Sequence, residues 1–128
     1  MAIRQRNLEA LHSVTMLAPT TVSAANNTTA IDCSAFDGDV CLILTAPASA
    51  AGSAIKVKVQ AGEASDGSDA TDVTGGAFPD LAVAAYHNRL VLTKDNLPSR
   101  LRLSFFDETG TYSAAVSCVA VGIKKYRP

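Results

Sequence analysis

The sequence predicts an all-β protein, a single jelly-roll-like β-sandwich with an extended N-terminal arm. Two segments, 55–60 (IKVKVQ) and 100–105 (RLRLSF), alternate apolar and polar residues with the period of a strand, so each has one face for a core and one for solvent. A third segment, 40–44 (VCLIL), is apolar throughout and is expected to be a central strand covered on both faces. Asp-Gly, Gly-Gly and Pro-Ser turns separate these runs, as a sandwich requires.

Shorter apolar runs predict the remaining strands of the body. Segments 89–93 and 114–123 are clear, and 30–33 and 78–84 are weaker, which gives seven strands with the three above. Segment 62–74 is expected to be a long exposed loop, since it is rich in Asp, Gly and Ser. The alternation predicts a set of buried side chains: Leu42, Leu44, Val57, Val59, Leu101, Leu103, Val119 and Val121.

Residues 1–25 differ from the body, which we place at 26–128. Ile3, Leu8 and Leu11 form one short apolar stripe at near-helical spacing, followed by a Pro- and Thr-rich extended segment. The stripe is too small to bury itself. Either these residues form an arm that lies across a neighbouring subunit, or they add one more element to the sandwich. We adopt the arm as the prediction.

Composition and charge exclude two classes of partner. The formal net charge is −1, which gives no global attraction to nucleic acid or to an acidic membrane surface. The longest segment without a charged side chain, 10–31, contains His, Pro and Asn and therefore cannot cross a bilayer. Arg4 and Arg6 would suit the start of a secretion signal, but Glu9 and His12 interrupt its apolar stretch. We expect no nucleic acid, membrane or secretory route.

The charges are nevertheless unevenly distributed along the chain. Residues 31–80 carry eight acidic and two basic side chains, whereas residues 81–128 carry seven basic and three acidic ones. This pattern is typical of a solvated acidic loop with basic strand faces. It also fits a body that docks by complementary patches onto itself or onto a neighbour.

Cysteine usage argues against a metal site. Cys33, Cys41 and Cys118 are odd in number, contain no C-x-x-C pair and have no histidine at zinc-ligand spacing. We expect three small apolar core residues, and a bridge between Cys33 and Cys41 is the alternative.

The sequence predicts neither an enzyme nor a cofactor. Only His12 and His87 could act as the usual general base, and neither lies in a catalytic motif. Asp66, Asp69 and Asp72 recur every three residues, but they do not match a calcium loop and no Glu closes the loop. Their expected role is a solubilising turn.

A series of segments from residue 30 onward carries a family resemblance: 30–38 (AIDCSAFDG) leading into 40–44, then 55–60, 66–68 (DGS), 71–75 (TDVTG), 97–103 (LPSRLRL) and a last strand ending at 124–126 (KKY). Their order resembles the small β-sandwich decoration, or cement, proteins on the heads of tailed bacteriophages. The likeness covers about three quarters of the chain and is a pattern of strands and turns without a catalytic motif.

The resemblance implies a structural virion protein on the outer surface of an icosahedral head. Such a protein would join neighbouring major capsid subunits and act as a homodimer or homotrimer. For this chain we expect the contacts to come from the arm, with the apolar stripe in a groove and the arginines against carboxylates of the shell. The predicted interface residues are Ile3, Arg4, Arg6, Leu8 and Leu11.

The alternative function is a carbohydrate-binding module of a phage head fibre or tail. Exposed aromatic side chains that stack on sugars would distinguish it, and the long loops contain almost none.

Overall fold

Two antiparallel sheets make up the protein in a computed structural model. It describes residues 11–49, 52–82, 84–93 and 97–124, without the side chains of Asp37 and Lys124. Within these residues the chain forms nine strands and no helix: β1 (Leu11–Val22), β2 (Asn26–Asn27), β3 (Ile31–Asp32), β4 (Phe36–Ala46), β5 (Ala54–Gly62), β6 (Thr71–Ala77), β7 (Tyr86–Thr93), β8 (Arg100–Thr109) and β9 (Ala114–Lys124).

The strand order is that of a jelly roll. One sheet has the order β1-β9-β4-β7, and the other has the order β2-β8-β5-β6, with β3 also paired to β8. Because β2 and β3 both pair with β8, they are two parts of one interrupted strand. The chain then crosses between the sheets as the two Greek keys of a jelly roll do. The predicted all-β sandwich is confirmed.

The strictly alternating segments fold as their period predicts. In β5 the residues Ile55, Val57 and Val59 are buried, and in β8 Leu101 and Leu103 are buried. The two strands pair directly, so these side chains share one inner face, while the lysines and arginines between them face outward.

The predicted burial of β9 is wrong by one residue. Val119 and Val121 are only half-buried, and the alternate residues Cys118 and Ala120 face the core. The strand is apolar on both faces, so its period could not identify the inner one. The inner residues of β9 are small because large side chains pack against them. At Gly122, for example, an added Cβ would lie 2.8 Å from Cδ1 of Phe36.

The prediction that β4 is covered on both faces is also wrong. The strand is central, between β9 and β7, but only Val40, Leu42 and Leu44 are buried. Cys41 and Ile43 are half-buried on the opposite face. A sandwich has two layers, and no third layer of the described chain covers this side.

Two loop and strand predictions are also corrected. Residues 71–74, expected to end the long loop, instead begin strand β6 (Thr71–Ala77), which pairs with β5. Segment 78–84, expected to be a weak strand, contributes only an isolated bridge between Ile55 and Leu81. β6 is polar but still pairs with β5, because an edge strand needs few apolar contacts. Of its side chains, Val73 alone packs against the core.

The first described strand changes the extent of the predicted arm. β1 pairs along its length with β9, and it buries Met16 and Val22. Alternate side chains His12, Val14 and Met16 point inward with the period of a strand, not with the helical spacing of the Leu8 and Leu11 stripe. Residues 11–22 are therefore part of the sandwich. Residues 1–10 lie outside the described chain.

Candidate docking surface

The outer side of the four-stranded sheet carries apolar side chains where solvent-facing polar ones are usual. Strand register aligns them in rows: Cys41 pairs with Val121 on one side and Val91 on the other, and Ile43 pairs with Val119. Leu11 of β1 pairs with Ile123 at the edge. We call this set the apolar sheet face: Leu11, Cys41, Ile43, Val91, Val119, Val121 and Ile123.

Exposure distinguishes this face from the rest of the described surface. Three large apolar residues in that surface are exposed: Val91 at 61%, Leu11 at 48% and Ile123 at 43%. All three belong to the apolar sheet face. Single exposed apolar residues are ordinary, but a contiguous patch marks an interaction surface.

One of the five predicted interface residues is described, and it lies on this face. Leu11 begins β1 next to Ile123. Ile3, Arg4, Arg6 and Leu8 lie outside the described residues. Sequence reasoning assigned 40–44, Val119 and Val121 to a buried core and gave Val91 only a strand, although the two-sided apolar pattern of 40–44 and 114–123 was the available signal.

Charged and polar groups lie at the two ends of the apolar sheet face. At one end Thr93 Oγ1 donates a 3.2 Å hydrogen bond to Asp39 Oδ1, and the two residues are partners across β4 and β7. At the other end His87 Nδ1 lies 3.2 Å from Thr45 Oγ1, whereas Arg89 lies nearer the centre because it pairs with Ile43. The face therefore has an acidic side chain at one end and an exposed arginine in the row of Ile43.

The outer side of the five-stranded sheet is polar and internally satisfied. Lys58 Nζ donates to Asp72 Oδ2 at 3.0 Å, and Gln60 Nε2 donates to Asp72 Oδ1 at 2.8 Å. Arg102 Nε donates to Gln60 Oε1 at 2.9 Å. The Lys58 ammonium also lies 4.6 Å from the ring centre of Phe106. The solvent-facing side chains of this sheet therefore form a hydrogen-bonded network with one another.

The acidic loop uses its carboxylates to hold its own backbone. Asp69 accepts 3.0 Å hydrogen bonds from the backbone N–H groups of Glu63 and Ala64, which lower the pKa of its carboxyl. Asp66 accepts one at 2.9 Å from the Ser68 N–H, and this contact lowers its pKa. Among the described residues no cluster of His, Cys, Asp or Glu could hold a metal ion. The contact of Asp66 with Ser68 is an Asx turn, whereas Asp69 closes the loop by bonding back to its start.

The cysteines are free thiols, not a disulfide. Cys33 and Cys118 are buried and Cys41 is half-buried. Cys33 Sγ lies 4.0 Å from Met16 Sδ, and burial raises the pKa of Cys118 to about 12. The Cys118 thiol is therefore protonated, and the two buried cysteines pack as small apolar groups.

A polar cleft of about 500 Å³ opens between the edge strands β6 and β7. Thr71, Thr74 and Thr93 line it together with Val91 and Asp72, and none of the described lining residues is aromatic. The cleft thus lacks a platform for stacking on a sugar ring.

The two packed layers and their strand order define an antiparallel β-sandwich of the jelly-roll class, which also occurs in viral shell proteins and lectins. No protein-family model matches the chain, and no curated protein matches its sequence. In the part of the chain that the structure describes, no helix has the length and apolarity needed to cross a bilayer.

Two solved structures are similar to this chain in fold. The SPBc2 prophage-derived protein YomS has a TM-score of 0.54 at 8% sequence identity, over 88% of this chain and 93% of that one. A chain of the T13 viral particle of infectious bursal disease virus has a TM-score of 0.52 at 16% identity, over 89% of this chain. The match covers only 31% of that viral chain. At these identities the likeness shows the fold.

Proposed function

We propose that this chain is a structural virion protein that decorates the outside of an icosahedral phage head and cements neighbouring major capsid subunits. The observation that carries the proposal is the open apolar sheet face, which begins at Leu11, where residues 1–10 join the body. A jelly roll hosts many functions, so the surface, not the fold, supports the assignment. The fold likeness to a prophage protein and to part of a viral particle is compatible with it.

Docking on the shell would use the segment that precedes β1. Ile3 and Leu8 would enter an apolar groove at about 1.5–3 kcal/mol each, beside Leu11 at the start of β1, and Arg4 and Arg6 would contribute exposed ion pairs at about 0–1 kcal/mol each. The apolar contribution is the larger one, although both must offset the cost of ordering the segment. Repetition at every lattice position multiplies weak contacts through multivalency.

A cementing role requires no catalytic group, and one of the two histidines has a packing contact. The ring of His12 packs on Phe36 at a centroid distance of 5.3 Å. The carbohydrate-binding alternative requires exposed rings, yet most of the described aromatic side chains are buried: Phe36, Phe78, Tyr86, Phe105 and Tyr112. Protein docking is therefore the better supported of the two functions.

Cosedimentation with capsids tests the proposal. The capsids are assembled from the major capsid protein of the genome that encodes this chain, and the full chain is compared with a variant lacking residues 2–10. We expect the full chain to saturate at a fixed ratio to the capsid protein and the truncated one to bind about tenfold or more weakly. Equal melting curves for the two proteins establish that β1 and the body are intact.

Two matched double variants separate the apolar and charged contributions. Ile3→Ser with Leu8→Ser is expected to weaken capsid binding more than Arg4→Gln with Arg6→Gln, and only the arginine contribution should decline with added salt. A full chain that never binds these capsids would refute the cementing role. Undiminished binding after removal of residues 2–10 would refute the assignment of the interface to this segment.

A further inference from the structure

We infer that the apolar sheet face is the docking site for residues 1–10 of the same chain, which lie across it in the isolated protein. This docking concerns the protein alone and does not depend on the virion role. Docking on a shell would require the same residues to leave the face first. Three features of the chain support the inference: the place where the segment joins the face, the length of the segment, and its apolar and charged side chains.

The segment joins the body at a corner of the face. Leu11 begins β1, an outer strand of the four-stranded sheet, and pairs with Ile123 of β9. Both side chains are exposed. Val121 and Cys41 follow in the next row toward the centre. Residues 1–10 therefore start at the surface that they would cover.

Ten residues are long enough to cross the face in either regular conformation. Four strands about 4.8 Å apart place β1 and β7 about 14 Å from each other. A ten-residue segment spans about 33 Å when extended and about 15 Å as a helix. The segment can therefore reach the two central strands, β9 and β4.

The apolar stripe of the segment continues the apolar sheet face. Leu11 belongs to the stripe formed with Ile3 and Leu8, and it is also the member of the face at which the segment begins. Contact of Ile3 and Leu8 with the face would remove apolar surface from water on both sides. Because the segment is covalently attached at Leu11, the face meets it at an effective concentration of about millimolar, well above that of a separate molecule in dilute solution.

The charges of the segment suit the end of the face where it enters. Asp39 is exposed at that end and forms no salt bridge within the described residues. It lies on β4, two strands and about 10 Å from β1. Arg6 precedes Leu11 by five residues and Arg4 by seven, so an extended segment brings either guanidinium within reach of the Asp39 carboxylate. Arg89 lies on the far strand, β7, where it would stay in solvent.

A second copy of the chain suits this face less well. A twofold axis that matches the Cys41 row to the Ile43 row would place Arg89 of one copy on Val91 of the other. The guanidinium would then lose water without gaining a carboxylate. Cover by a second copy would also make the exposure of the face depend on protein concentration, whereas cover by the segment would not.

Alkylation of Cys41 tests the inference, because this thiol lies in the centre of the face. Iodoacetamide is added to the native full chain and to a variant lacking residues 2–10, and peptide mass spectrometry gives the rate at each cysteine. We expect Cys41 to react about fivefold or more faster in the shorter chain, whereas the buried Cys33 and Cys118 keep their rates. In the full chain the Cys41 rate should be the same at about 1 μM and about 100 μM protein. Cover to this extent shifts the melting temperature by only a few degrees.

Matched double variants of the full chain identify the side chains that make the contact. Ile3→Ser with Leu8→Ser should raise the Cys41 rate nearly as much as the deletion does. The control is Gln5→Ser with Asn7→Ser, which changes two polar residues of the same segment and should leave the rate within about twofold. Arg4→Gln with Arg6→Gln should have a smaller effect, which disappears as salt is added.

Several outcomes would overturn the inference. One is an unchanged Cys41 rate after the deletion, and another is an equal effect of the two serine pairs. A Cys41 rate that falls as protein concentration rises would show that a second copy covers the face. Equal acceleration of all three thiols would show that the changes loosen the whole fold instead of uncovering one face. Since no capsid is present, none of these outcomes decides the cementing proposal.

Discussion

The two outer sheet faces of this sandwich differ in a way that the inner faces do not. On the five-stranded sheet, Lys58, Gln60 and Arg102 alternate with core residues and form a hydrogen-bonded network with Asp72. On the four-stranded sheet the corresponding positions include Val121, which pairs with Cys41. Both sheets bury one apolar face in the same core, so the core cannot explain the second apolar face.

The difference separates what stability requires from what function requires. A two-layer sandwich needs one apolar face on each sheet, and β5 provides no more than that. The additional apolar residues of β4 and β9 cost solubility in an isolated monomer. These residues lie at matched positions on paired strands and so form one surface, as an interface requires. The most direct experiments therefore change one side of the sheet and leave the other intact.

The largest expected effect follows from removing β1 from the four-stranded sheet. Deletion of residues 2–22 removes the strand paired to β9 and the burial of Met16 and Val22. At about 1.5–3 kcal/mol for each of these two side chains, the loss consumes much of a typical stability of about 5–15 kcal/mol. We expect circular dichroism and thermal melting to show an unfolded or barely stable chain.

Deletion of residues 2–10 is the control for that experiment, because it ends before Leu11. It should leave the melting temperature within a few degrees of the full chain. If instead the shorter deletion unfolds the protein and the longer one is no worse, β1 is not the boundary of the folded body.

A smaller effect distinguishes the inner and outer sides by single substitutions. Leu103 is fully buried, and Leu103→Ala should lower the free energy of unfolding by about 2–5 kcal/mol. Val121→Ala, at a half-buried outer position, should cost about 1 kcal/mol or less. Urea unfolding measures both. Equal losses would contradict the assignment of faces in β9.

Thiol reactivity compares the two sides of the four-stranded sheet without a mutation. Cys41 is on the outer side, whereas Cys118 is buried and burial raises its pKa to about 12. We expect iodoacetamide to modify Cys41 in the native protein about 100-fold faster than Cys33 or Cys118, because the inner thiols react only on opening. Peptide mass spectrometry gives the three rates. Rapid native modification of Cys118 would contradict its position in the core.

These comparisons also explain which parts of the fold the sequence could predict. The segment 55–60 was predictable because charged residues alternate with apolar ones and leave only one possible inner face. The face of β9 was not, since both of its faces are apolar and the choice depends on the contact of Gly122 with Phe36 across strands. Local period cannot report a contact between distant residues.

The same reasoning applies to the candidate site. Leu11 was selected for a helical stripe, yet it lies on the apolar sheet face because β1 pairs with β9. The partners of that face, Cys41 and Val91, come from strands far away in sequence. Only the strand order joins them into one surface. Apolar patterning thus predicted a strand at 40–44, whereas the number of layers in the fold decided that one side would remain open.

The smallest expected effect concerns the acidic loop beside the five-stranded sheet and appears as pH dependence. Asp69 accepts backbone hydrogen bonds from Ala64 and Glu63, which lower its pKa from the ordinary 3.8. A carboxyl whose pKa is lower in the folded state stabilises the fold above its ordinary pKa, and this contribution is lost as the pH falls through the lowered value. The melting temperature should therefore decline from about pH 5 toward pH 2.

Asp69→Asn should flatten this acid decline, since the amide cannot titrate but its oxygen can still accept one of the two hydrogen bonds. The change should be modest because the group is fully exposed. Asp80→Asn, at an exposed carboxyl outside the loop, is the control for the change in net charge. Melting curves at several pH values in constant salt provide the measurement. An unchanged slope in Asp69→Asn would show that the two backbone contacts do not hold the loop. The need for a glycine at position 62, where a Cβ would collide with the Asp69 carboxylate, would then require another explanation.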